Sequence, residues 1–216
     1  MLGDSEYISL KIIIVSIGIF LLFSLNNCTT DKNGTIKQSL GAIKQEAIAN
    51  KKSIDSSSIQ IQSEIAKIDT LILLLNLNKD YQKVCDMSLD LLNVGVGPYL
   101  ENVAIKNIIK TDDIKLIKDF EKKESITDLY DSYKSIQDFD ILSRNYFQNN
   151  YATHLKNNLN KVCNGIKNNS AYEKELFINK LEYYKKMSEN RILHYQYCIV
   201  QIEDYLFYLN KLKKTK

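Results

Sequence analysis

Residues 54–75 read IDSSSIQIQSEIAKIDTLILLL, and this stretch decides the fold class. Ile54, Ile61, Ile68 and Leu75 recur at every seventh position, and two further isoleucines follow Ile61 and Ile68 by four residues. That spacing places the apolar side chains on one face of a helix. The repeat lasts about three heptads and lacks alternating charges on its flanks. It therefore favours a helix packed within a bundle over the seam of a coiled-coil oligomer.

The pattern continues towards the C terminus. Ser170 and Glu173 form a capping box, which predicts the start of a final helix that runs to about Leu212. Residues 95–98 read GVGP, and such a cluster of helix breakers predicts a loop. No stretch alternates apolar and polar residues as a half-buried strand would. We therefore predict an all-α protein, a helical bundle over residues 54–216 with a long C-terminal helix.

Several helix ends can be predicted from capping residues. Asp80 is suited to cap the helix that follows it. Residues 99–110 and 113–123 are predicted to form two short helices. Ser125 and Asp128 resemble a capping box, which predicts that another helix begins there.

The composition excludes several classes of protein. Of the 216 residues, 44% are apolar and 25% are charged, as in ordinary globular proteins, so the chain is not disordered throughout. Seven Gly and one Pro are too few for an all-β fold with many turns. The net charge of +3 is too balanced to indicate nucleic-acid binding. Almost all basic residues are Lys, which lacks the bidentate phosphate geometry of Arg.

The N-terminal region has the pattern of an export signal. Residues 12–25 form an apolar run of fourteen residues, which is shorter than the roughly 20 needed to span a bilayer. Such a run suits the apolar part of a signal peptide, and Lys11 supplies the preceding positive charge. Leu25 stands three positions before Cys28, as in a bacterial lipobox. We predict a signal peptide over residues 1–27 and lipidation of Cys28; the alternative is an uncleaved signal anchor.

These features resemble one class of bacterial proteins. The short Ile/Leu/Phe signal, the lipobox variant ending in Asn27-Cys28 and the Lys-, Asn- and Ile-rich helical body resemble the plasmid-encoded outer-surface lipoproteins of Borrelia-type spirochaetes. The resemblance implies a lipid anchor in the bacterial outer membrane and exposure at the cell surface. Only residues 11–28 match a motif, so the resemblance assigns no binding residues.

The segment after Cys28 is polar. Residues 28–53 are rich in small and polar residues, which favours a flexible tether. Ile36, Leu40, Ile43 and Ala47 nevertheless have helical spacing, so part of the tether is compatible with a marginal helix.

No motif points to catalysis, a cofactor or a metal ion. Phosphate-binding loops, nucleophile elbows and paired metal ligands are missing from the sequence, so we do not expect an enzyme. Beyond Cys28 the cysteines are Cys85, Cys163 and Cys198, none of them in a CxxC pair. One disulfide, with Cys163 and Cys198 as a candidate pair, and three buried thiols are the two alternatives.

The C-terminal third combines tyrosines with basic residues, a mixture that suits a binding surface. At helical spacing most of these tyrosines would line the core, but adjacent ones point to different sides. The basic tail could equally be a solvated helix end. The candidate partner contacts are Tyr183, Tyr195, Lys211, Lys213, Lys214 and Lys216.

Two functions fit the sequence. The first is a non-catalytic surface module that binds a host protein, such as a complement regulator or a matrix component, or a polyanion. The second is a periplasm-facing structural lipoprotein without a host ligand. The sequence does not fix the oligomeric state.

Overall fold

In a computed structural model, the structure of the protein is described for residues 32–93, 97–163 and 171–211. These residues are helical or irregular and include no strand, so the prediction of an all-α fold with a long C-terminal helix is confirmed. The α-helices are α1 (Lys32–Leu77), α2 (Tyr81–Asp90), α3 (Val103–Lys110), α4 (Phe120–Tyr146), α5 (Thr153–Cys163) and α6 (Ala171–Lys211).

Helix α1 begins much earlier than the sequence predicted. The tether predicted over residues 28–53 is wrong for residues 32–53, because all of them are helical. Ile43 and Ala47 are buried, and a compact unit begins at Ala42. Most of the polar residues of this stretch face solvent, but Glu46 and Asn50 are buried together with its apolar residues. Of the unit that ends at Gly41, the structure describes only residues 32–41.

Helix α2 begins as predicted at Asp80. Its carboxylate accepts a hydrogen bond from the Lys83 backbone N–H at 3.1 Å. Asp80 has a φ of 48°, a left-handed conformation that Asp tolerates better than most residues.

Helix α4 does not begin at the capping box predicted from Ser125. Asp119 is the N-cap, and its side chain accepts from the Lys122 N–H at 3.2 Å. Ser125 lies within α4, where its buried hydroxyl donates to the Lys122 carbonyl oxygen at 2.8 Å. The serine hydroxyl that was predicted to cap a helix N-terminus therefore donates to a backbone carbonyl within the helix. Residues 113–116 form a short 3-10 helix instead of part of a longer helix.

A π-helix joins α4 to α5 over Phe147–Ala152. The widened turn places Phe147, Tyr151 and Ala152 in the hydrophobic core. The Tyr151 hydroxyl donates to the Ser88 carbonyl oxygen at 3.1 Å and so links this turn to α2. This cluster also draws residues from α1, α5 and α6, among them Ile68, Leu71, Leu155 and Leu181.

Helices α4 and α6 pack antiparallel along each other. Tyr146 near the end of α4 contacts Tyr183 near the start of α6, with ring centroids 4.4 Å apart. Nearer the middle of both helices, the Phe139 ring stacks on the His194 ring with centroids 4.6 Å apart. Among the described residues, no helix is both long and apolar enough to cross a membrane.

Candidate interaction surface

The connection between α2 and α4, together with the first residue of α4, carries three strongly exposed apolar side chains. Tyr99, Val103 and Phe120 are 80%, 67% and 72% exposed. Sequence analysis predicted helices over residues 99–110 and 113–123 and did not single out these three residues as a surface. Helix α3 in fact starts only at Val103, which leaves Tyr99 in an irregular segment after Pro98. Exposed aromatic residues on a connecting segment are typical of binding surfaces.

Two buried polar side chains of α1 hold this segment in place. The Asn50 amide donates to the Glu101 carbonyl oxygen and accepts from the Glu101 N–H, both at 2.7 Å. One side chain thus makes the pair of bonds that a neighbouring strand would otherwise make. Because Asn50 is fully buried, its amide needs both partners.

Glu46 caps α3 from a different helix. Its carboxylate accepts from the Ala104 N–H at 2.6 Å and from the Ile105 N–H at 3.3 Å. Asn102, which precedes α3, makes no capping bond with its own side chain. A buried carboxylate at a helix N-terminus gains from both the free N–H groups and the helix dipole. Glu46 therefore fixes the start of α3, where Val103 is exposed.

An ion pair beneath Gly97 supports the other end of the segment. The Arg191 Nε donates to Asp140 Oδ1 at 2.8 Å, and the Tyr195 hydroxyl lies 2.9 Å from both carboxylate oxygens. All three side chains are buried. A β-carbon on Gly97 would lie 1.9 Å from Asp140 Oδ2, so only glycine fits at this approach. The ion pair thus joins α4 and α6 and sets the position from which the exposed segment departs.

The electrostatics of this cluster follow from its burial. Burial lowers the pKa of the Arg191 guanidinium, but Tyr195 and Asp140 outweigh it and raise the pKa overall. Burial is also the main reason why the pKa of the Tyr195 hydroxyl is raised. The cluster is a buried ion pair whose role is to hold α4, α6 and Gly97 in position.

Among the shallow grooves formed by the described residues, two lie near residues already named. One, of about 410 Å³, runs beside Tyr99 and Pro98 and is bordered on α1 by Lys52, Ser53 and Ser57. The other, of about 450 Å³, lies between α4 and α6 at Lys134, Phe139 and His194. The His194 Nδ1 lies 3.0 Å from the Ser135 hydroxyl, so this imidazole already has a polar partner. The first groove continues the exposed segment and forms part of the same candidate surface.

The predicted contact residues differ in their exposure, and several of them lie outside the described residues. Tyr183 is half-exposed, as a partner contact requires. Tyr195 is buried, so its prediction as a contact is wrong: its hydroxyl is directed at Asp140. Lys211 ends α6, and no position is described for its side chain. Cys28, Lys213, Lys214 and Lys216 lie outside the described residues.

The disulfide differs from the candidate pair. Cys163 is bonded to Cys85, so the pairing of Cys163 with Cys198 is wrong. Cys198 lies 27 residues into α6, roughly 40 Å along the helix from its start. Its buried thiol accepts from the Ser132 hydroxyl at 3.3 Å, and burial raises its pKa to about 11. That pKa makes the thiol unreactive at neutral pH.

Within the part of the chain that the structure describes, no three His, Cys, Asp or Glu side chains gather as metal ligands. No family model, curated protein or solved structure matches this chain.

Proposed function

We propose that this protein is a lipid-anchored bacterial surface protein that acts as a non-catalytic interaction module and binds a host protein through the segment from Gly97 to Phe120. The observation that carries the proposal is the combination of exposed Tyr99, Val103 and Phe120 with a buried polar framework that holds their backbone. Ordering a loop on binding costs conformational entropy, and a segment already ordered avoids much of that cost.

The chemistry of the segment suits a protein partner. Tyr and Phe bury a large area with few rotatable bonds, and they are enriched where proteins meet. Lys106, Lys110 and Lys115 lie on the same segment beside Asp112 and Asp113. Such a mixed charged rim tunes the encounter rate more than the final affinity. The candidate partners are a complement regulator or a matrix component, as the resemblance to spirochaete surface lipoproteins implies.

The binding experiment uses the exported chain with Cys28→Ala, so that it remains in solution. It is incubated with host serum or matrix extract, and the captured proteins are identified by mass spectrometry. The double variant Tyr99→Ser/Phe120→Ser should lose the ligand that the parent captures. Ile59→Ser, an exposed apolar residue on α1, is the matched control and should retain it. Equal capture by parent and double variant would show that this segment is not the binding surface.

The anchor and its orientation need a separate test. Metabolic labelling with palmitate should tag the wild type, and Cys28→Ala should lose the label while Cys198→Ala keeps it. Protease treatment of intact cells should then remove the protein. Protection from protease would favour the alternative, a structural lipoprotein that faces the periplasm.

A further inference from the structure

Helix α6 has a second apolar face. Its inward side carries Phe177, Leu181, Tyr184, Tyr195, Cys198, Ile202 and Tyr205, all of them buried. Leu193, Tyr197, Val200 and Phe207 lie on the opposite side of the helix and are 50% to 62% exposed. An apolar stripe opposite the core has no role in folding the bundle.

The stripe has the spacing of a coiled-coil seam. Leu193, Tyr197 and Val200 are separated by four and three residues, and Phe207 follows seven residues after Val200. Extending the same heptad backwards reaches Tyr183, which is half-exposed and also packs one side of its ring against Tyr146 of α4. A seam from Tyr183 to Phe207 is roughly 36 Å long. Alternating steps of three and four are what two helices need to interlock side chains along a shared line.

We propose that the outer face of α6 binds a second copy of this chain, with the two helices antiparallel about a two-fold axis near residue 195. In an antiparallel pair each residue meets the one at the mirrored position of the other copy. The resulting layers are Tyr183 with Phe207, Lys186 with Asp204, Asn190 with Val200, and Leu193 with Tyr197.

Charge decides between the two orientations. The antiparallel register sets Lys186 of one copy against Asp204 of the other, and the symmetry makes this ion pair twice. A parallel pair in register would set Lys186 against Lys186 and Asp204 against Asp204. Like charges within a seam are destabilising, whereas a complementary polar pair specifies register and orientation. The charges at Lys186 and Asp204 are therefore complementary between two copies of α6 only when the helices run antiparallel.

The flanks of the seam do not oppose this pairing. Glu189 and Glu203 border the stripe, and the antiparallel register brings them towards each other. Within each copy, however, Glu189 lies 3.8 Å from the Lys185 ammonium and Glu203 is paired with Lys51. Both carboxylates thus carry a countercharge before the copies meet, which reduces their repulsion.

The test is the monomer–dimer equilibrium of the full exported chain with Cys28→Ala, measured by sedimentation velocity. The wild type should dimerise reversibly. Asp204→Lys should raise the dissociation constant about tenfold, because two ion pairs per dimer become two repulsions. The double variant Lys186→Asp/Asp204→Lys restores opposite charges and should recover most of the affinity. Two results would overturn the proposal. One is a wild type that stays monomeric up to about 100 µM, where its affinity would be too weak to matter. The other is a double variant whose dissociation constant is no lower than that of Asp204→Lys.

Matched variants separate this surface from others. Phe207→Ser should weaken the dimer, whereas Ile59→Ser, which removes an equally exposed apolar side chain from α1, should not. Gln196→Cys, beside the seam and near the axis, should cross-link to itself, while Asn179→Cys near one end should not. A parallel dimer would give the reverse result, with a cross-link at the seam position Asn179→Cys only. Tyr99→Ser should leave dimerisation unchanged, so loss of host binding and loss of self-association are distinguishable.

Discussion

Gly97 is the residue at which side-chain size matters most directly. A β-carbon there would collide with the Asp140 carboxylate, which Arg191 and Tyr195 hold in place. We expect Gly97→Ala to lower the free energy of unfolding by about 1–3 kcal/mol, because the buried ion pair must shift. Urea unfolding measures this change.

Gly41→Ala is the matched control. Gly41 is an exposed residue inside α1 with nothing within 4 Å of its would-be β-carbon. Alanine stabilises a helix interior relative to glycine, so this variant should gain about 0.5–1 kcal/mol. Equal effects of the two substitutions would contradict the close approach of Gly97 to Asp140.

Buried tyrosines make stability fall at high pH. Burial raises the pKa of the hydroxyls of Tyr133, Tyr151, Tyr184, Tyr195 and Tyr205 above the ordinary value of about 10. The native state therefore holds these protons more tightly than the unfolded chain does. Their stabilising contribution is complete below about pH 10 and decreases as the pH rises above it.

This dependence can be followed through phenolate absorbance. The buried tyrosines should ionise only together with loss of the helical circular dichroism signal. A single smooth titration of all tyrosines, with the helical signal intact, would contradict their burial.

Helix α3 depends on a residue outside itself. Glu46 supplies the two acceptors for the N–H groups of Ala104 and Ile105, so Glu46→Ala leaves them unsatisfied. We expect a loss of about 2 kcal/mol and faster amide exchange over residues 101–110. Hydrogen exchange with mass spectrometry localises the effect. Gln45→Ala, at the exposed neighbouring position, should change neither quantity.

At the scale of the molecule, one disulfide closes a long stretch of chain. Cys85 and Cys163 are separated by 78 residues, and linking them restricts the unfolded chain strongly. Cys85→Ser/Cys163→Ser should reduce the free energy of unfolding by about 4 kcal/mol. In thermal unfolding, reductant should destabilise the wild type by the same amount as the double substitution does. The stability of Cys85→Ser/Cys163→Ser should not change when reductant is added. Insensitivity of the wild type would show that the two thiols are not bonded.

The domain boundary gives the last prediction. A chain that starts at Ala42 keeps Ile43, Glu46, Ala47 and Asn50, all of which are buried. A chain that starts at Ile54 lacks them and should be less stable by about 3 kcal/mol or more, since it loses apolar burial and leaves α3 uncapped. Urea unfolding of the two chains compares them directly, and equal stability would mean that residues 42–53 add nothing to the fold.

The sequence by itself determined the helical class, the long final helix and the cap at Asp80. Each depends on residues a few positions apart, so the period of apolar side chains and the local capping bonds are sufficient. The alternating steps along the outer face of α6 are also a property of the sequence, although only burial separates that face from the core.

Only the tertiary structure decided that residues 42–53 form part of the core, the partner of Cys163 and the burial of Tyr195. Each depends on residues that are distant along the chain. From the sequence, Glu46 and Asn50 are expected to be solvated residues of a polar stretch. In the structure the start of α3 and the Glu101 backbone lie beside them and supply their hydrogen-bond partners. Sequence patterns do not distinguish Tyr183 from Tyr195. In the structure Tyr183 is half-exposed beside Tyr146, whereas Tyr195 is buried and its hydroxyl bonds Asp140. A polar residue can be buried wherever a distant part of the chain supplies its hydrogen-bond partner, and local periodicity carries no record of that partner.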